Sequence, residues 1–137
     1  MRATATQRSK FTHDVKVRKH QMTADEPTEH GGEDLGPSPQ EMLAASLASC
    51  TAITMEMYAK RKGWNVDGMA VEVDYQPAER GAVTRFELIM KMPAHLSDEQ
   101  VRKLQVIAAK CPVHRTLEGE VMFSERVERS AAPAQAA

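Results

Sequence analysis

The chain has 137 residues, 18 Lys and Arg against 19 Asp and Glu, a net charge of -1 at pH 7, and two cysteines. That length fits one domain with a hydrophobic core and leaves little room for a second. The near-balance of charge implies no nucleic acid and no membrane as a partner.

The amino terminus, MRATATQRSK, lacks the apolar stretch of a secretory signal. Two cysteines without an export signal point to a reducing compartment, where thiols serve chemistry or packing more than structural disulfides. A cytoplasmic location is therefore the default expectation. Residues 1–8 read as a flexible lead-in, residues 9–129 as a single domain, and residues 130–137 (SAAPAQAA) as a disordered tail with nothing to bury.

From Lys10 the pattern is strand-like, with Phe11, His13, Val15 and Val17 alternating against Thr12, Asp14, Lys16 and Arg18. A second short strand is expected through His20, Met22 and Ala24. The polar stretch from Asp25 to Asp34, with Gly31-Gly32, reads as a loop.

A long helix follows. Ser38 is a good N-cap, Pro39 suits the first helical position, and Glu41 completes an S-x-x-E capping box. Lys60, Arg61 and Lys62 complement the negative end of the helix dipole, and Gly63 can take the left-handed conformation that closes it. About 24 residues make a helix roughly 36 Å long. Between Glu41 and Glu56 the run MLAASLASCTAITM carries no charge, so the helix is expected to be buried on every side. The run is too short to span a membrane, which needs about 20 apolar residues. Cys50 sits in its middle, sharing a side with Leu43, Leu47, Thr54 and Met57.

Val66 to Tyr75 reads as a strand with Val71, Val73 and Tyr75 on one face, and Val83 to Met92 as the returning strand of an antiparallel hairpin, with Phe86, Leu88, Met90 and Met92 alternating against Arg85, Glu87, Ile89 and Lys91. Ser97 and Gln100 form a second capping box. Val101, Leu104, Ala108 and Cys111 fall near one face of the helix they open. That helix should stop by Lys110 or Cys111, because Pro112 disfavours helical geometry in the residue before it. A short helical turn from Pro112 to Glu118 and a last strand through Val121, Phe123 and Val127 complete a ββ-α-ββ-α-β order, an α+β domain.

Cys50 can be read as a small hydrophobe in a buried helix, since free cysteine is among the most buried residue types. Cys111 is at a helix–proline junction, where the following helix start would lower its pKa. Both lie on faces expected to meet the core, so the two thiols can meet. The Cys111-Pro112-Val113-His114 spacing also occurs in metal sites, but a structural zinc needs four ligands and only Cys50 remains to supply a sulfur. His114 and Arg115 could instead hold a nearby thiolate or cap a helix end. No phosphate-binding glycine loop, nucleophile elbow or Ser-His-Asp arrangement is present.

The segment Gly36-Pro37-Ser38-Pro39-Gln40-Glu41-Met42-Leu43, then Ser49-Cys50-Thr51, then Cys111-Pro112-Val113-His114-Arg115-Thr116-Leu117, resembles the OsmC/Ohr family. Within it, the GPSP…CTA and CPVHRTL signatures are similar to the OsmC-like branch, and Ala24-Asp25-Glu26-Pro27 and Gly31-Gly32 fit too. The resemblance runs from about Phe11 to Val127. It implies an OsmC-like α+β fold around a long central helix, assembled as an intertwined homodimer. It also implies thiol-based reduction of organic hydroperoxides or hydrogen peroxide. By that resemblance Cys50 is the peroxidatic thiolate, Cys111 resolves its sulfenic acid to a disulfide, and an external dithiol, for instance a lipoylated protein, restores both. Neither a metal nor another cofactor is implied.

The same resemblance raises the question of activation. Mid-helix burial raises a cysteine pKa, and the peroxidase branches supply an arginine from the loop before the central helix, held by a glutamate at the helix start. This chain has no arginine between Lys19 and Lys60. Arg18 and Arg115 are the candidate substitutes, from this chain or a partner. The family acid falls on Gln40, with Glu41 one place along. That place turns the side chain by about 100°, roughly opposite Cys50, and leaves Glu41 to cap the helix. An alternative reading follows: a redox-sensing or small-molecule-binding protein of the same fold with weak or no peroxidase activity.

Overall fold

The computed structural model describes residues 1–130. Its elements are β1 (Thr4–Ser9), β2 (Thr12–Val17), β3 (His20–Ala24), a 3-10 turn (Thr28–His30), α1 (Pro39–Lys62), β4 (Ala70–Gln76), β5 (Arg85–Lys91), α2 (Asp98–Ala108) and α3 (Pro112–Glu118). Strands β1, β2 and β3 form one antiparallel sheet in that order, and β4 pairs with β5 in a second. The α+β class expected from the sequence is the one observed. No helix among the described residues is long and apolar enough to cross a membrane.

Helix α1 ends where its capping chemistry says it should. Ser38 Oγ accepts from the Glu41 amide at 3.2 Å, and Glu41 Oε1 accepts from the Ser38 amide at 2.9 Å. At the other end Gly63 adopts φ 74° and its amide reaches the carbonyls of Ala59 and Lys60. The helix is not buried all round, however. Within the chain its covered stripe is Leu47, Thr51, Met55 and Ala59, at i, i+4 spacing, while Ile53 and Met57 are 50% and 60% exposed. The described chain supplies neighbours on one side only: the β4–β5 hairpin, α2 and α3.

The core lies on that side. Met55 and Ala59 of α1 meet Leu104 and Ala108 of α2, with Leu96 closing the end and Val71, Met90, Met92 and Val101 around them. Burying each of the larger side chains stabilises the fold by about 1.5–3 kcal/mol. The hairpin has the expected faces: Val71 pairs with Met90, Val73 with Leu88 and Tyr75 with Phe86, the last two rings stacking at 4.6 Å.

Two expectations are corrected at the ends of the chain. Thr4–Ser9, read as part of a flexible lead-in, pairs with β2 from Thr4↔Lys16 to Ser9↔Thr12. All six of its residues are exposed, so no apolar alternation marks it in the sequence. The last strand through Val121, Phe123 and Val127 does not form: residues 120–130 make no ladder with either sheet of the chain. The order is therefore βββ-α-ββ-α-α. Of the expected disordered tail, residues 131–137 lie outside the described residues.

The link between β3 and α1 is organised by Asp25, which is buried. Its carboxylate accepts from Thr12 Oγ1 at 2.9 Å and from the amides of Glu26 at 2.7 Å and Leu35 at 3.2 Å. The chain is so tightly folded here that a Cβ at Gly32 would strike the Glu26 carbonyl, and one at Gly36 the Thr23 carbonyl.

Candidate functional site

The two cysteines are brought together where α3 crosses α1. Cys50 lies at the middle of α1, half-buried. Cys111 is the N-cap residue of α3, with no exposed surface. Pro112 explains the placement: it takes the first helical position of α3 and holds Cys111 at φ -53°, ψ 131°, outside helical geometry. That break turns the Cys111 side chain back onto α1. Both thiols are free, and they lie close enough to perturb each other's ionisation.

Their electrostatic settings differ. Burial pushes the Cys50 thiol up, and the adjoining Cys111 sulfur pushes it further; the Val113 amide and the Thr54 hydroxyl act in the opposite direction but do not outweigh them. Burial also opposes ionisation of Cys111. There the Cys50 thiol, the amides of His114 and Val113 and the Thr51 hydroxyl together outweigh burial, and the Cys111 pKa is lowered. Hydrogen bonding to the charged form is the physical cause.

Thr51 was not among the residues singled out from the sequence. It is completely buried on the covered stripe of α1, and its Oγ1 has no hydrogen-bond partner. A hydroxyl in the middle of an apolar helical run is the signal that could have marked it. Thr54, one helical turn after Cys50, is placed on the thiol's side as expected and touches it.

The other candidates scatter. Arg18 is not in a strand: it is at the β2–β3 turn with φ 53°, and its side chain is exposed. Arg115 is exposed on α3. Gln40 and Glu41 line a polar cleft of about 840 Å³ near the start of α1, with Glu26, His30, Asp74 and Arg85 among its walls. Ten residues of helix separate Gln40 from Cys50, about 15 Å along the axis. Glu41 is engaged in the capping box, where the Ser38 amide and hydroxyl lower its pKa.

His114 lies closer to the thiols. Its Nε2 is 2.7 Å from Glu118 Oε1, while its Nδ1 is buried and has no partner. It forms one wall of a second cleft, about 530 Å³, lined mainly by the apolar side chains of Leu43, Leu47, Phe86, Leu88 and Leu117. Leu47 and Leu43 lie about one and two turns before Cys50 on α1, and His114 three residues after Cys111, although neither cysteine lines this cleft.

A family model described as OsmC-like protein matches residues 31–126. No curated protein matches the chain significantly. The crystal structure of an OsmC like protein from Mycoplasma pneumoniae is similar, with a TM-score of 0.73 and 20% identity over 86% of each chain. An organic hydroperoxide resistance protein from Elizabethkingia anophelis gives 0.65 and 22%, over 85% of this chain and 86% of that one. One from Legionella pneumophila gives 0.63 and 16%, over 87% and 90%. These structural likenesses show a shared fold, and the family match spans the cap of α1, both cysteines and the hairpin between them. The chain belongs to the OsmC-like protein family.

Proposed function

We propose that this chain is a cysteine-based peroxidase that reduces organic hydroperoxides or hydrogen peroxide. The observation that carries the reading is the contact between two free thiols, one on α1 and one at the start of α3. In the proposed cycle the Cys50 sulfur attacks the peroxide O–O bond and becomes a sulfenic acid, releasing an alcohol or water. Cys111 then displaces the sulfenic oxygen as water to give the Cys50–Cys111 disulfide. An external dithiol, such as a lipoylated protein, restores both thiols. The chemistry runs on sulfur and calls for no metal or other cofactor.

The apolar cleft beside the pair supports an organic peroxide as substrate, because Leu43, Leu47, Phe86, Leu88 and Leu117 offer its carbon chain a surface to cover. The names of the Elizabethkingia and Legionella proteins point the same way. The proposal extends to a homodimer, with the exposed Ile53 and Met57 side of α1 against the partner. In that assembly Arg18 or Arg115 of the partner could approach Cys50. A cytoplasmic site of action is part of the same proposal.

The test is an assay with cumene hydroperoxide and an excess of dithiol. The parent should consume peroxide catalytically, Cys50→Ser should fall to the uncatalysed background, and Cys111→Ser should stop after at most one equivalent. Undiminished consumption by Cys50→Ser would sink the proposal. The raised pKa of Cys50 and the exposed position of Arg18 favour a second reading, a redox sensor or binding protein of weak peroxidase activity. In that case the parent itself would be no faster than free dithiol.

A further inference from the structure

A cleft of about 870 Å³ opens between the end of α1 and the first turns of α2, away from the thiols. Lys62, on its α1 side, lies twelve residues after Cys50, about 18 Å along the helix axis. Tyr58 and Trp64 line it, both half-buried and both packed on the core. Their rings meet edge to face with centres 5.7 Å apart. Val106 of α2 adds an exposed apolar side chain to the same lining.

The charge of this cleft is one-sided. Lys62, Arg102 and Lys103 line it, with Glu99 as the one acid in its walls. Arg61, Lys62 and Lys103 all lie near the Tyr58 ring, at 5.9, 5.6 and 5.8 Å from its centre. Among the described residues, none of these four cations is in an ion pair. The dipole of α1 accounts for Arg61 and Lys62 at its end. It does not account for Arg102 and Lys103, which stand in the middle of α2, where no helix end calls for a positive charge. A cation over an exposed ring gains only about 0.5–1 kcal/mol, and the cations repel one another. The chain as a whole has a net charge of -1, so the cluster is not a by-product of a basic sequence.

We propose that this cleft binds a nucleoside diphosphate or triphosphate. The base lies against the Tyr58–Trp64 pair and Val106, and the phosphates against Lys62, Arg102 and Lys103. The two halves of the lining argue for the two halves of the ligand. Half-exposed aromatic rings give a planar base a stacking surface, which inorganic phosphate would leave unused. Cations free of carboxylate partners suit a multiply charged phosphate chain, which a neutral ring would not satisfy. Arg102 and Lys103 are one turn before Val106 on α2, so the charged and apolar parts share one helix face. The volume lies within the range of small-ligand pockets, about 300–1,000 Å³. Tyr58 is turned about 100° around α1 from Met57, so the cleft opens toward α2 and not toward the face proposed to meet a second copy. The site stands apart from the peroxidase reading.

Trp64 is the only tryptophan of the chain, so its fluorescence reports this cleft directly. Excited at the red edge of the indole band, where adenine does not absorb, its emission should change saturably as ADP is added. Pyrophosphate and adenosine each carry half of the recognised chemistry and should bind roughly tenfold more weakly or worse. Lys103→Glu should weaken ADP binding by about tenfold. Lys19→Glu, the same change of charge at the exposed β2–β3 turn, should leave it unaltered. Tyr58→Leu should weaken ADP by about tenfold through the lost ring; because Tyr58 also packs on the core, circular dichroism checks that this variant is folded, and the pyrophosphate and Lys103→Glu measurements stand without it. Cys50→Ser should bind ADP like the parent, whatever its activity toward peroxide. No saturable response to ADP would overturn the proposal, as would equal affinity for pyrophosphate or equal losses in Lys19→Glu and Lys103→Glu. An acidic peptide that shifts Trp64 emission where ADP does not would also overturn it, and would assign the cleft to a protein partner.

Discussion

A buried ionisable side chain in this molecule is worth what its hydrogen-bond donors make it worth, and Asp25 shows this away from the thiols. Burial opposes its charge, but the Glu26 amide, the Thr12 hydroxyl and the Leu35 amide outweigh that and lower its pKa. A carboxylate with a depressed folded pKa stabilises above its unfolded value, and that contribution is lost as pH falls through the carboxylate range to the folded value. The melting temperature should therefore drop on acidification below about pH 4, and Asp25→Asn should flatten that part of the curve while lowering the plateau. Thermal melts across a pH series check both. The approach of Cys111 to Cys50 was not legible in the sequence, because the two lie 61 residues apart and only the packing of α3 on α1 brings them together.

The helices show how much local chemistry can decide. Both capping boxes read from the sequence are present, Ser38 with Glu41 and Ser97 with Gln100, each with both hydrogen bonds made. Ser38→Ala should cost about 0.5–2 kcal/mol of stability by denaturant unfolding, since it removes the acceptor for the Glu41 amide. Helix α2 depends on packing as well: Leu104 is fully buried between α1 and the hairpin. Leu104→Ala should cost about 2–5 kcal/mol in the same measurement, the range for emptying a leucine site in a tight core. The strands were legible only where alternation reports a covered face. Val71, Val73 and Tyr75 reveal β4, whereas β1 is exposed along its whole length and betrays itself through pairing alone.

At the scale of the whole molecule, apolar surface is left over. Ile53 and Met57 face outward on α1, and Phe123 and Val127 are 86% and 90% exposed after α3. The uncharged run of α1 reads as a helix covered on every side, yet one chain covers only one side of it. A second copy is the proposed cover. The protein should elute and scatter light as a dimer, and Ile53→Glu with Met57→Glu should shift it toward monomer, because two carboxylates cannot be buried unpaired. A chain that is monomeric before those changes would refute the dimer.

By itself the sequence determined the helices and their ends, the β4–β5 hairpin with its faces, and the two cysteines as the groups worth asking about. Those features follow from residue spacing, capping side chains and proline, all of which act over a few positions. The pairing of β1, the absence of a final strand, the position of Arg18 at a turn and the contact of Cys50 with Cys111 were decided by tertiary structure. Each depends on what lies opposite, and neighbours in space are not neighbours in sequence. The thiol at the centre of α1 was evident from the start. That a second sulfur lies near it emerged only when α3 was laid across the helix.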